Sequence, residues 1–372
     1  MSPRSDPRLA PSRIRLARER RGLSKVALSS LLGVTTRVLQ TYESDGAPAA
    51  RADDLARALG VSPRFFTLPE RHAVSAEQGF FRARRRATAA QLGAARAAAS
   101  MGMELYEWIA TRFALPARVL PDLDQQEPET AAAALRAIWG RGTEPLPNLV
   151  QLCESHGVRV LSLPTDAETV DAFSLWADEV PYVFLSTAKT AERSRFDLAH
   201  ELGHLVMHSR VDEGDAGSAE LEREADAFAS ALLMPREDLA ARSGREPAVP
   251  QVLRLRDYYR VSAMAVTRRL HEIGRLTDWG YRQNCVQLAQ RGFRSAEPGG
   301  MARERSRVFM TVFPALRASG VATRAVCDEL GITAEELYGL TFGHAAMTVE
   351  GRQEPATADA APAPRPDLHV VR

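Results

Sequence analysis

The chain has 372 residues, enough for two or three domains of ordinary size, and a formal net charge of only +1. Its three cysteines, Cys153, Cys285 and Cys327, lie far apart and form no CxxC pair, which argues against a disulfide framework and a cysteine zinc site. No apolar run approaches the ~20 residues that cross a bilayer, and no apolar segment follows the charged N-terminus as in a signal peptide, so we expect a cytoplasmic protein without a membrane partner.

The first 68 residues are predicted to form short helices separated by breaking and capping residues. Gly22 and Gly33 each end an apolar helical pattern, and Ser24 and Thr35 stand at the N-caps that follow. Two short helices joined by a glycine-containing turn are typical of a helix-turn-helix, whose second helix enters the DNA major groove. We therefore predict an all-α DNA-binding domain over residues 1–68, against the alternative of a helical bundle with a solvated basic face.

The expected DNA contacts divide into base contacts and phosphate contacts. The second helix of the pair begins at Thr35 and would direct polar side chains at base edges, where arginine pairs with guanine and glutamine with adenine. Eight Arg or Lys among the first 25 residues, against two acids, favour phosphate contacts. The candidate base contacts are Thr36, Arg37, Gln40 and Thr41, and the candidate phosphate contacts are Arg13 and Arg18.

The stretch IRLARERRGLSKVALSSLLGVTTRVLQTYESDGAPAARADDLARALGV, from Ile14 to Val61, resembles the XRE (Cro-like) helix-turn-helix family over its whole length. The resemblance implies binding to a double-stranded DNA operator, and the docking geometry of the motif implies a homodimer on a two-fold site. Ser24 to Leu28 depart from the usual start of the second helix in this family, which leaves the base-facing residues open.

Residues 69–120 are predicted to connect this domain to the next. The stretch FFRARRRATAAQ carries four arginines between positions 82 and 86, which we interpret as a solvated charged run. A long helix is predicted over residues 96–113, before Pro116.

The stretch FDLAHELGHLVMH, Phe196 to His208, predicts a helical metal site. His200 and His204 lie one turn apart and project in the same direction, so they can hold one Zn²⁺ as the HExxH pattern requires. Glu201 is rotated off that pair, where it can accept a proton from water. His208 lies ~12 Å along the axis from His200, too far for one small ion, so we assign it a supporting or structural role.

The third metal ligand is expected from the acidic helix LEREADAFASALLMP, Leu221 to Pro235. Glu224 sits at the edge of its apolar face, where a carboxylate needs a cationic partner such as Zn²⁺. Glu220, Glu222 and Asp226 are the competing candidates. The alternative is an acidic surface helix that binds no metal.

FDLAHELGHLVMH followed by EREADAFASALLMP resembles the ImmA/IrrE type of zinc metallopeptidase, over about residues 135–277. The resemblance implies the metal ligands His200, His204 and Glu224, with Glu201 as the catalytic glutamate. It also covers a region of predicted strands that should support the metal helix, at residues 158–163, 173–177 and 182–185.

A zinc centre with three protein ligands leaves one position for water, which predicts peptide hydrolysis with a donor for the developing oxyanion. The candidate donors are His156, Tyr182 and Tyr281. The strand at 182–185 is a candidate for pairing with an extended substrate by edge addition.

The C-terminal third is predicted to be helical. Leu330 to Thr333 repeat the spacing of Leu32 to Thr35, which indicates either a second helix-turn-helix or, because no basic exposed face is evident, a helical hairpin for dimerisation. The composition after Glu350 is typical of a disordered tail.

The predicted fold class is mainly α, with an all-α helix-turn-helix domain and a small α+β zincin-like metallopeptidase domain. The predicted function is a DNA-binding transcriptional regulator whose zinc endopeptidase cleaves a repressor, in trans or in this chain itself, in response to stress such as DNA damage. One alternative is a metal-binding transcription factor that uses the peptidase fold as a sensor or scaffold, and another is a protease whose first domain binds a protein. The predicted domains span residues 1–68, 69–120, 121–277 (metallopeptidase), 278–349 (C-terminal helices) and 350–372 (tail).

Overall fold

The computed structural model describes residues 8–75, 79–83, 88–164, 170–209 and 219–345. These residues are mainly helical and contain one four-stranded sheet, so the predicted fold class is confirmed. None of the helices in the described part of the chain has the length and apolarity required to cross a membrane. The arginines at 84–86 and the predicted tail lie outside the described residues.

The N-terminal region folds as the capping pattern predicts. Ser24 and Thr35 accept hydrogen bonds from the backbone N–H groups of Ala27 and Val38, which fixes the starts of the second and third helices. The helices are α1 (Pro11–Arg20), α2 (Lys25–Leu31), α3 (Thr36–Asp45) and α4 (Ala52–Leu59), with short 3₁₀ segments at Ala49–Arg51 and Pro63–Thr67.

The long helix α5 (Ala89–Ala110) connects this region to the sheet. It begins seven residues earlier than predicted, because Thr88 and Gln91 form a capping box at its N-terminus. Gly102 lets the helix approach the sheet closely, since a Cβ at this position would lie 2.8 Å from Leu161 Cδ2.

The sheet contains the three predicted strands and one that was not predicted. Its strands are β1 (Gly79–Ala83), β2 (Arg159–Leu163), β3 (Val170–Ala177) and β4 (Val180–Ser186), in the order β1-β3-β4-β2. β2 and β4 are parallel, whereas β1–β3 and β3–β4 are antiparallel. Because β4 is paired on both sides, the expected pairing of residues 182–185 with a substrate is wrong.

Each face of the sheet belongs to a different hydrophobic core, as the alternation of side chains along a strand requires. Phe184 points into a core built by α1–α5 and the last three helices. Its neighbours Val183 and Leu185 point into a second core, which holds the helix with the predicted metal site. The candidate metal centre and the helix-turn-helix region therefore pack on opposite faces of one sheet.

The remaining helices build the second core and then return to the first. The C-terminal helices contact the helix-turn-helix region of the same chain: Ser62 N–H donates to the Gly331 carbonyl at 3.0 Å, and Arg20 Nε lies 2.7 Å from Glu336 Oε1. The hairpin that the sequence indicated for dimerisation is thus packed within its own chain. These helices are α6 (Pro128–Ile138), α7 (Leu149–Ser155), α8 (Ala191–Met207), α9 (Ala219–Leu233), α10 (Arg236–Ser243), α11 (Val249–Tyr259), α12 (Ala263–Glu272), α13 (Asp278–Gln290), α14 (Arg307–Ala318), α15 (Thr323–Leu330) and α16 (Ala334–Leu340).

Candidate metal centre and DNA-contacting face

The two histidines of the HExxH pattern face each other on α8. Their Nε2 atoms lie 3.1 Å apart, and both side chains are fully or almost fully buried. Thr190 caps the helix by accepting from Arg193 N–H, and His200 and His204 lie on the same side because they are one helical turn apart. The predicted pairing of these two imidazoles is therefore present.

The carboxylate that the structure brings to this pair is Glu222, and not Glu224. Glu222 Oε2 lies 3.5 Å from His200 Nε2, and Glu222 Oε1 lies 3.5 Å from His204 Nε2. Two residues along α9, Glu224 projects about 200° away around the helix, and its Oε2 is 2.9 Å from His208 Nε2. Glu224 was expected beside the two histidines as the third metal ligand, and the structure places Glu222 there instead.

A second layer of polar groups holds the imidazole rings from behind. Asp226 Oδ1 lies 2.9 Å from His200 Nδ1. His208 Nδ1 lies 3.0 Å from His204 Nδ1, so His208 links His204 to Glu224. Such outer contacts fix the orientation of metal-ligating histidines and leave Nε2 for the ion.

The spacing of the inner atoms fits a small tetrahedral cation. Ligands at ~2.0–2.1 Å from Zn²⁺ lie roughly 3.3 Å from one another in a tetrahedral site. Here the two Nε2 atoms lie 3.1 Å apart, and each lies 3.5 Å from one oxygen of Glu222, Oε2 for His200 and Oε1 for His204. Burial lowers the pKa of His204 to about 4, and the two imidazoles, against the effect of burial, hold the pKa of Glu222 well below its usual range. Neutral imidazoles and an ionised carboxylate are the protonation states that a metal requires.

Glu201 lies beside this centre with one oxygen held and one open. Its Oε2 accepts a hydrogen bond of 2.7 Å from the Ser174 hydroxyl on β3. Its Oε1 is buried and has no hydrogen-bond partner among the described residues, a costly state unless a further polar group binds there. Burial also raises the pKa of Glu201 to about 7. Sequence reasoning missed Ser174, for which the only signal was a hydroxyl within an apolar strand.

Tyr281, one of the three candidate oxyanion donors, lies in a cavity that also borders a residue in contact with His200. It lines a cavity of about 540 Å³ together with Asp197 and Asp226, the partner of His200. Tyr182 packs edge-on against Tyr106 in the core on the other face of the sheet. His156 stacks on a tryptophan at 4.6 Å, and its Nδ1 bonds the Leu152 carbonyl.

The candidate base-contacting residues lie together on one exposed surface of α3. Arg37 and Gln40 are exposed one turn apart. Thr36 is exposed and its hydroxyl is 3.3 Å from that of Ser29, while the Thr41 hydroxyl donates to the Arg37 carbonyl. These positions match the predicted arrangement, in which the second helix of the motif faces solvent.

The two candidate phosphate contacts are structural arginines instead. Arg13 is 1% exposed; its Nη1 donates to Glu104 Oε2 at 2.8 Å, and its Nε donates to the Pro69 carbonyl at 2.7 Å. Arg18 donates from Nε to Glu43 Oε1 at 2.5 Å and from Nη1 to the Leu23 carbonyl at 3.0 Å. Both guanidinium groups are therefore bound within the protein and are not presented to DNA, which corrects the expectation.

Arg13→Ala is expected to lower stability, because it leaves the Glu104 carboxylate without its partner between α1 and α5. Breaking a buried ion pair costs about 3–5 kcal/mol. The exposed Arg37→Ala serves as the control and should change the free energy of unfolding by less than about 0.5 kcal/mol. Thermal unfolding of both variants checks this. Equal melting temperatures of the two variants, with weaker DNA binding in Arg13→Ala, would restore the phosphate role.

Two comparisons with protein families agree with this geometry. Residues 14–66 match a family described as helix-turn-helix. Residues 153–271 match a family described as the IrrE N-terminal-like domain, and this segment contains α8, α9 and the whole candidate metal centre. No curated protein matches the chain. The resemblances predicted for the two parts of the sequence are thus confirmed.

Proposed function

We propose that this chain, which joins a helix-turn-helix domain to an IrrE N-terminal-like metallopeptidase domain, is a DNA-binding regulator with a zinc-dependent endopeptidase centre. The observation that carries the proposal is the close approach of two buried imidazoles and the Glu222 carboxylate, next to a Glu201 Oε1 atom that has no hydrogen-bond partner among the described residues. A carboxylate oxygen left open beside the two imidazoles is placed to accept a proton from a water molecule bound there.

In this proposal His200, His204 and Glu222 hold Zn²⁺. When bound, the ion lowers the pKa of a water molecule and polarises a peptide carbonyl. Glu201 Oε1 accepts a proton from the attacking water and then delivers it to the leaving amine. Ser174 keeps Oε2 engaged, so that the open oxygen faces the reacting atoms.

The surrounding residues position these groups. Asp226 and His208 hold the two imidazoles by their Nδ1 atoms, which leaves both Nε2 atoms for the ion. Tyr281 is the proposed hydroxyl donor to the oxyanion, because it lines the cavity that reaches Asp226.

The helix-turn-helix domain would recognise the DNA sequence to which the protein binds. α3 would lie in the major groove with Arg37 and Gln40 at base edges. A homodimer would contact two half-sites ~34–36 Å apart. In the cytoplasm, the peptidase would cleave a repressor protein, in trans or in this chain, under stress such as DNA damage.

Gln40→Ala is expected to cost ~1–3 kcal/mol at one base pair and to relax the preference there. Arg18→Ala is the contrasting variant: because its guanidinium is bound to Glu43, it should leave the slope of affinity against salt unchanged. Selection from a random duplex library, followed by affinity measurements over a range of salt, tests both. A chain with no affinity for any duplex at low salt would indicate that this domain docks onto a protein.

The endopeptidase proposal is tested by incubating the zinc-loaded chain with repressors encoded beside its own gene and mapping cuts by mass spectrometry. A discrete cut that a chelator abolishes is the expected result. Tight zinc and DNA binding by the full chain without any cut would favour the scaffold alternative.

A further inference from the structure

We propose that the cavity between α8, α9 and α12 receives one large, uncharged side chain of the substrate, next to the bond that is cut. This inference rests on the proposed peptidase function. It names the substrate more closely, as a polypeptide with an aromatic or a branched apolar residue at the cleavage site. The volume of about 540 Å³ lies within the range of roughly 300–1,000 Å³ that is usual for ligand pockets.

The first argument is the position of the cavity relative to the metal centre. On α8, Phe196 lies one turn before His200 and therefore on the same side of the helix. On α9, Asp226 and Ser230 follow Glu222 at intervals of one turn. Phe196, Asp226 and Ser230 all line the cavity. The helix faces that carry the metal centre thus continue into its wall, so the side chain beside a carbonyl held at the metal would enter this space.

The second argument is the apolar part of the lining. Phe196, Met264 and Ala265 are half-buried, and each packs against the second core while also lining the cavity. Apolar surface that faces water in a concave site is removed from water when an apolar group fills the site, and this favours binding. Ala265 presents only a methyl group, so a larger residue at this position would take up part of the space.

The third argument is that the charged groups of the lining already pair with one another. Lys189 Nζ lies 2.6 Å from Asp197 Oδ2 and 3.2 Å from Asp171 Oδ2, and all three side chains are largely buried. Arg268 Nε donates to Glu272 Oε1 at 2.8 Å. These contacts bind two cations and three carboxylates within the wall itself.

The two other charged side chains of the lining have partners just outside it. Arg193 Nη2 donates to the Arg294 carbonyl at 2.7 Å, and Asp226 Oδ1 lies 2.9 Å from His200 Nδ1. Each charged side chain that the described residues contribute to the cavity is therefore already engaged. A charged substrate side chain would compete for these partners and leave a charge uncompensated. An apolar side chain meets the apolar wall and leaves the pairs intact.

The test measures the binding of small hydroxamates to the zinc-loaded, full-length chain by calorimetric titration. A hydroxamate chelates zinc through its oxygens and contains no peptide bond, so it anchors a side chain at the metal without being hydrolysed. The series carries a methyl, an isobutyl, a phenylethyl, an aminobutyl or a carboxyethyl group. Its first arm therefore compares apolar groups of increasing size, and its second arm adds a positive or a negative charge.

We expect the isobutyl and phenylethyl compounds to bind at least about tenfold more tightly than the methyl compound, the least that one methylene gains in an apolar pocket. The two charged compounds should bind no more tightly than the methyl compound. Affinities that agree within a factor of two across the series would overturn the proposal. So would a charged compound that binds as tightly as the phenylethyl compound, or a zinc-loaded chain that binds none of them.

Ala265→Phe tests whether the preference arises in this cavity, because the new ring occupies part of it. Binding of the phenylethyl compound should weaken at least about tenfold, while zinc affinity and binding of the methyl compound stay at the wild-type values. Ala241→Phe is the matched control, the same change at an exposed position on α10, and should bind every compound like the wild type.

Unchanged binding of the phenylethyl compound by a zinc-loaded Ala265→Phe chain would place its side chain elsewhere and overturn the proposal. If this variant fails to fold and loses zinc, the series on the unaltered chain decides alone. A preference for large apolar groups without hydrolysis of any protein by the wild type would contradict the proposed function and leave the pocket standing.

Discussion

Glu222→Gln is expected to lower zinc affinity by more than about 100-fold, because it removes a direct ligand. Loss of a residue that only contacts a ligand typically lowers metal affinity by about 10–100-fold. Glu224→Gln should lower it by about tenfold at most, since Glu224 acts only through His208. Competition against a chromophoric chelator gives both affinities.

Asp226→Asn adds an internal calibration to this comparison. Asp226 holds His200 at Nδ1 without reaching the ion, so its loss should cost about 10–100-fold. The loss of zinc affinity is therefore expected to be largest for Glu222→Gln, smaller for Asp226→Asn and smallest for Glu224→Gln. If Glu224→Gln lost zinc while Glu222→Gln kept it, the ligand assignment would revert to the one expected from the sequence.

Glu201→Gln is expected to retain zinc and to lose hydrolysis. General acid–base transfer contributes about 10²–10⁴-fold in rate, and the amide that replaces Oε1 or Oε2 cannot accept a proton. The substrate should be an unfolded protein such as casein.

The control for this variant is Glu220→Gln, the same chemical change at a side chain on α9 that is 74% exposed. It should hydrolyse casein at the rate of its parent. Hydrolysis by Glu201→Gln within a factor of two of its parent would mean that another group accepts the proton.

Local signals in the sequence were sufficient for much of the fold. Ser24 and Thr35 start their helices because each side chain caps a backbone N–H three residues later, a rule with no long-range component. His200 and His204 face each other for a similar reason, since residues one turn apart share a helix face. Both features depend only on spacing along the chain.

The third carboxylate could not be identified in this way. Glu222 and Glu224 flank the apolar stripe of α9 on opposite sides, and the stripe itself is defined by Ala225 and Phe228. Periodicity shows which face is buried, but the flank that meets α8 is set by the rotation of one helix against the other. That rotation is a tertiary property.

Arg13 and β1 illustrate the same limit over longer separations. In the sequence, Arg13 is a basic side chain that could contact a DNA phosphate. Its partner in the structure, Glu104, is 91 residues away. β1 is five residues long, and the strand that pairs with it begins at Val170. When two partners are far apart along the chain, the sequence pattern around one residue does not indicate the other.

Anomalous diffraction at the zinc edge, from crystals of the zinc-loaded Glu201→Gln chain, tests the central claim most directly. The account predicts one peak at ~2.0–2.1 Å from His200 Nε2, His204 Nε2 and a carboxylate oxygen of Glu222, with residue 201 facing it. A peak held by Glu224 and His208, or no peak at the α8 histidines after zinc loading, would contradict it.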